Sequence, residues 1–182
     1  MLNKYIPNEK MRNLAEWVIA IVFAVIVYWF LSNYVYSSAE ISGPSMNPTL
    51  EHGERVIVNR MAYWFSAPKR NDIIAFPYPT DPTDNYVKRV LGLPGDEIDI
   101  FHGKVYINGE ELNDSFSPEE MMPSGDVVFP IIVGEGEYFV LGDNRDSSKD
   151  SRYSTVGCIK KENVIGKVSL RFWPIDRVGF VE

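Results

Sequence analysis

Between Trp17 and Ala39 the chain reads WVIAIVFAVIVYWFLSNYVYSSA, with no charged residue. As a helix rising about 1.5 Å per residue, this stretch reaches about 34 Å, enough to cross a hydrocarbon core of about 30 Å. A helix buried in a soluble core would show a polar position every three to four residues, and Val18 to Leu31 shows none. A membrane span is therefore expected over 17–39. Ser37 and Ala39 form a small-x-small pair of the kind found at cleavage sites. The apolar run nevertheless exceeds the roughly 7 to 15 residues of a secretory signal, which favours an uncleaved anchor. Trp17, Tyr28, Trp29, Tyr34 and Tyr36 gather toward the ends of the run, as interfacial aromatics do.

Beyond Ala39 the pattern changes to short alternating bursts: ERVIVNR, DIIAF, EIDIF, KVYIN, VVFPIIV, EYFVL and KVSLRFW. Alternation of period two predicts strands. The dipeptides His102-Gly103 and Asn108-Gly109 separate them, and the second suits a tight hairpin that needs positive φ. The expected fold is mostly β: an antiparallel sheet domain over 40–182 behind the helix of 17–39 and a leading segment 1–16. Leu112 to Gly125, rich in Pro, Ser, Asn and acidic residues, predicts a solvent-exposed excursion. No internal repeat is present, and 182 residues suit one compact domain plus an anchor.

Composition narrows the function classes. The net charge of -7 and the lack of a basic stripe make nucleic acid a poor partner. The one cysteine, Cys158, has no partner for an internal disulfide and no Cys or His neighbours for a metal site, so it reads as a small core residue. No cofactor is expected. Lys4, Lys10 and Arg12 precede the span, whereas Glu40, Glu51 and Glu54 follow it before Arg55. That bias predicts a cytoplasmic N-terminus and an extracytoplasmic domain, with the lipid bilayer as one partner.

Just after the span comes Ser42-Gly43-Pro44-Ser45-Met46-Asn47-Pro48-Thr49-Leu50. A serine in such a rigid turn is either structural, since turns are made of Gly, Pro and Ser, or a nucleophile beside a free backbone N–H. A nucleophile needs a base. His102 falls at a hairpin tip and His52 in a polar Glu-His-Gly-Glu turn, and both read as solvated. The other candidate is Lys88, in a strand-like run where Tyr86, Lys88 and Val90 share a face. It is either a surface lysine paired with an acid or a lysine kept neutral by burial, because one with a pKa of about 10.4 is almost wholly protonated at pH 8. The polar stretch Gly142 to Arg152 is not a calcium loop, since Ser151 and Gly157 stand where that loop needs Gly and Glu. It is either a solvated turn or a hydrogen-bonded scaffold for the base.

In this order, Ser45-Met46 with Pro48-Thr49-Leu50, the Tyr86 to Asp96 run and the Gly142 to Arg152 segment resemble the bacterial type I signal peptidases. These are membrane-bound Ser/Lys endopeptidases. The resemblance, which runs from the anchor to the C-terminus, implies that Ser45 is the nucleophile and Lys88 the general base. It implies that Ser148 orients the lysine, that Asp150 and Arg152 form a supporting charged pair, and that Asp143, Arg145 and Asp146 form a polar network. Ile41, Met46, Leu50, Tyr86 and Val87 fall where the family lines shallow pockets for small residues, implying Ala-x-Ala-like cleavage sites. Signal-peptide-bearing preproteins are the implied substrates, processed near the secretion translocase. Two positions depart from the pattern of some relatives. Gly43 replaces a serine that helps the oxyanion hole, as in the Gram-positive branch, which shifts that role to backbone N–H groups. Asn71 replaces a glycine, and Asn tolerates positive φ. The remaining alternatives are a tethered β-rich binding module, a self-cleaving repressor, or a relative dedicated to one substrate. Tyr63-Trp64-Phe65 either dips into the membrane interface or packs in the core.

Overall fold

The computed structural model describes residues 9–113, 116–117 and 125–181, so Lys4 and most of the Leu112 to Gly125 excursion lie outside the described residues. The chain divides into two units, Met1–Tyr36 and Ser37–Glu182. The first unit is helix α1, Glu9–Phe30, continued by a π-helical turn over Leu31–Val35. At 22 residues it extends about 33 Å, none of its side chains is buried, and its length and composition suit a membrane span. The helix starts earlier and stops sooner than the expected 17–39. Glu9, Lys10 and Arg12 already belong to its first turns, whereas Tyr36–Glu40 is strand β1. Ser37 and Ser38 have little helix propensity, and pairing with β2 satisfies their backbone instead.

The second unit is built from strands: β2 Arg55–Asn59, β3 Ile73–Tyr78, β4 Asp81–Gly92, β5 Glu97–Phe101, β6 Lys104–Ile107, β7 Glu110–Glu111, β8 Ile131–Ile132, β9 Glu137–Leu141, β10 Ile159–Lys160, β11 Gly166–Trp173 and β12 Gly179–Phe180. The larger sheet runs β1-β2-β11-β3-β4-β9-β10, with β12 on β11, and the smaller runs β7-β6-β5-β8. The pairs from β2 to β10 and within the smaller sheet are antiparallel, as the alternation predicted. His102 and Asn108 take positive φ in the two turns of the smaller sheet. Asn71 also adopts positive φ, 72°, so the asparagine does what a glycine would do there. Of VVFPIIV only Ile131 and Ile132 pair, because Pro130 has no N–H to give a ladder.

Among the described residues the buried apolar side chains form three clusters. One, around Met46, Leu50, Val56, Val58, Ile73 and Val168, lies under the Ser45 loop. A second, around Ile74, Phe76, Val90, Tyr138 and Val140, backs the other face of β3, β4 and β9. The third, around Leu91, Ile98, Val133 and Phe139, joins the two sheets, and half-buried Cys158 packs on it with its thiol pushed up to about 11 by burial. Tyr63 packs on the second cluster and donates its hydroxyl to Asp72 at 2.9 Å, while Trp64 and Phe65 project into solvent. That segment is thus split between core and surface.

Candidate active site

The loop from Ser42 to Leu50 joins β1 to β2 and is pinned at both ends. Ile41 N–H donates to the Glu54 carbonyl and Gly53 N–H to the Ile41 carbonyl. Inside it, Asn47 N–H donates to Pro44 and Leu50 N–H to Met46, winding a turn that drives Met46 and Leu50 into the core and leaves Ser45 half-buried at its crest. On β4, Ile74 of β3 lies opposite Lys88 and Ile73 lies opposite Arg89. Lys88 therefore shares a face with Tyr86 and Val90, as the alternation predicted.

The register brings Lys88 Nζ to 2.7 Å from Ser45 Oγ, with the Val87 carbonyl accepting its second hydrogen bond at 3.0 Å. Lys88 is 3% exposed and makes no ion pair among the described residues. Burial pulls its pKa down to about 8, against the pull of Asp150 and Asp143 upward and with a push from Arg152 downward. A lysine in this state has a large neutral fraction at mildly alkaline pH. It sits where it can take a proton from a hydroxyl.

Two buried ion pairs surround the lysine. Arg89 Nε and Nη2 hold both oxygens of Asp143 at 2.8 Å, and Thr49 Oγ1 of the serine loop donates to the same carboxylate at 2.5 Å. Arg152 Nε and Nη2 hold Asp150 at 2.8 and 2.9 Å, and Asp150 accepts the Gly142 N–H at 3.1 Å. Asn144 N–H donates to the Ser45 carbonyl at 3.1 Å, and Arg145 Nε donates to the Gly142 carbonyl. Asp146 lies at the surface. A side chain at Gly142 would run into Ser148 Oγ and the Ser45 carbonyl, so this position must stay bare for the two loops to meet.

A cleft of about 330 Å³ opens over Ser45 and Lys88. Ile41, Met46, Tyr86 and Val87 line it as expected. Leu50 does not. It is fully buried in the first core cluster, because the turn closed by its own N–H points the side chain inward. Ser148 departs as well: its hydroxyl is buried without a hydrogen bond among the described residues, and the Val87 carbonyl holds the lysine. Gly43 takes φ 87°, and its N–H donates to Nδ1 of His52 at 3.2 Å. Nothing in the polar Glu-His-Gly-Glu turn signals this bond, which depends on how the loop folds back. Thr49 and Arg89 were also missed, since their meeting depends on Asp143 far along the chain.

A family model described as signal peptidase, peptidase S26, matches residues 14–173. The chain belongs to the signal peptidase family. Signal peptidase IB of Staphylococcus aureus strain MRSA252 is 34% identical over 184 residues, covering 93% of this chain and 94% of that protein. The probable signal peptidase I-2 of Synechocystis sp. is 36% identical over 166 residues, covering 88% of this chain and 73% of the relative. The crystal structure of a signal peptidase I from Enterococcus faecalis V583, 35% identical, aligns with 57% of this chain and 98% of its own, at a TM-score of 0.49. The chain is thus a serine endopeptidase of the signal peptidase I class, with signal-peptide-bearing preproteins as substrates. The binding-module and repressor alternatives fall away.

Proposed function

We propose that this peptidase cuts preproteins with Ser45 as nucleophile and Lys88 as general base, after small residues in an Ala-x-Ala-like pattern. The supporting observation is the 2.7 Å contact between Lys88 Nζ and Ser45 Oγ, with the lysine buried and its amine in an ion pair with no carboxylate among the described residues. With the amine neutral, the contact turns round and Oγ–H donates to the nitrogen lone pair. Oγ then attacks the scissile carbonyl carbon as Nζ takes the proton. Ser45 N–H, which no group among the described residues accepts, is available to the developing oxyanion. Collapse of the tetrahedral intermediate breaks the C–N bond, and the ammonium returns the proton to the leaving amine. Water then attacks the acyl ester, Lys88 again taking the proton, and the product acid and Ser45 hydroxyl are released. Ile41, Met46, Tyr86 and Val87 leave shallow space for small side chains. Asp150, Arg152, the Val87 carbonyl and the backbone around Gly43 hold this arrangement.

The helix of the first unit supports a tethered enzyme with its N-terminus in the cytoplasm, as the Lys and Arg bias predicts, and its peptidase domain outside near the translocase. Holding enzyme and substrate in one membrane raises their effective concentration. The test is cleavage of a purified preprotein by the full chain in lipid vesicles. Ser45→Ala and Lys88→Ala are each expected to abolish it, and normal processing by either variant sinks the assignment.

A further inference from the structure

The excursion between β7 and β8 meets two arginines of the site at residues that the structure describes. On its outward limb, the Phe116 ring lies against Arg89, with the guanidinium carbon 3.5 Å from the ring centroid. On its returning limb, Asp126 and Val127 N–H both donate to the Arg152 carbonyl at 3.1 Å. The Asp126 carboxylate then accepts from the N–H and the hydroxyl of Ser154, each at 2.6 Å. Gly125 takes φ 102°, and a Cβ there would collide with the carbonyl of Arg152. Arg89 and Arg152 hold the two carboxylates, Asp143 and Asp150, whose charges act on Lys88. Phe116 thus lies on the guanidinium of one ion pair, and residues 125–127 bind the backbone of the arginine in the other.

We propose that Phe116 and Gly125 are positioning residues that hold the two ion pairs around Lys88, Phe116 through the Arg89 guanidinium and Gly125 by allowing residues 126 and 127 to bind the Arg152 backbone. This rests on the Ser45 and Lys88 reading. An aromatic face over a desolvated guanidinium attracts it more strongly than one at the surface, so the stack fixes the plane of Arg89 and with it Asp143 and Thr49. A displaced scaffold shifts the base and nucleophile by fractions of an ångström, which slows chemistry. Neither Phe116 nor Gly125 lines the cleft, so substrate affinity is spared.

Steady-state cleavage of a preprotein by the full chain in vesicles tests this, at a temperature where thermal melts show each variant folded. Phe116→Ala is expected to lower kcat about tenfold with KM within about twofold of wild type. Phe116→Tyr, which keeps the ring face, restores kcat, and Phe116→Leu, which fills the space without a π face, does not. Gly125→Ala lowers kcat in the same way. A wild-type kcat for Phe116→Ala, a Leu variant matching the Tyr variant, or a loss confined to KM each overturns the positioning role. Ser45→Ala and Lys88→Ala run alongside: activity in those variants overturns the catalytic assignment, whereas their inactivity beside a fully active Phe116→Ala overturns the positioning role alone.

Discussion

Lys88 and Arg89 are neighbours on β4, 3% and 0% exposed, and leave the strand on opposite faces into opposite surroundings. Arg89 has two hydrogen bonds to Asp143, another to the Asn71 carbonyl and a ring against its guanidinium. Lys88 has a hydroxyl and one carbonyl, with no carboxylate bonded to it among the described residues. Two buried cations one residue apart thus do different work. The paired one holds loops together, and the other is pressed toward neutrality, the state a base needs. Burial alone does not make a catalytic lysine. The absence of a contacting acid matters equally.

Swapping either residue for an isosteric apolar one breaks the comparison most sharply. Lys88→Met should lower preprotein cleavage by at least about a thousandfold while leaving the urea midpoint unchanged or higher. Its folded pKa lies below the unfolded value of 10.5, so folding below about pH 8 carries the cost of burying the ammonium, and stability rises with pH from about 8 to 10.5. Methionine removes that cost. Arg89→Met should instead destabilise by about 3–5 kcal/mol, because Asp143 is left buried and unpaired. If the Lys88 variant unfolds more readily than the Arg89 variant, the two cations do not differ in the way described.

The two members of the Asp150–Arg152 ion pair offer a finer test through pH. Activity requires neutral Lys88, so kcat should rise with pH through about 8. Asp150 raises the lysine's pKa and Arg152 lowers it. Asp150→Asn should therefore move the acid limb to lower pH and Arg152→Gln to higher pH. Rate profiles between pH 6 and 10 would show it, and shifts of the same sign in both variants would refute it.

How much of this could be read from the chain follows the range of each interaction. Tyr86, Lys88 and Val90 share a face because strand alternation is local, and the Asn108-Gly109 turn is legible for the same reason. The helix and its apolar character were plain, but its ends were not, since Tyr36–Glu40 became strand only by finding β2. The resemblance implies a pocket role for Leu50, but nothing local shows which way a loop side chain turns, and the bond between its N–H and the Met46 carbonyl decides it. The Arg89 pair with Asp143 spans 54 positions and the Thr49 bond 94, distances at which no periodicity speaks. The excursion read as solvated because its composition is polar, although Phe116 reaches a guanidinium in the core.

Thr49 ties the nucleophile's loop to the paired cation rather than the unpaired one. Valine in its place keeps the shape and removes the donor to Asp143, which should cost about 1–2 kcal/mol in the urea midpoint and lower kcat about threefold. An unchanged kcat would mean that the loop is held well enough by its backbone bonds to Asn144 and Arg171.

His52 marks the smallest effect. Its Nδ1 accepts the Gly43 N–H at the surface, two residues before Ser45, so the bond steadies the approach to the nucleophile while remaining open to water. Water can replace most of an exposed hydrogen bond, and His52→Ala should lower kcat by only about twofold. His52→Asn, with a side-chain oxygen able to accept the same N–H, should recover part of it. A loss of tenfold or more in His52→Ala would place the imidazole in the chemistry itself, and Lys88 would no longer suffice as the base.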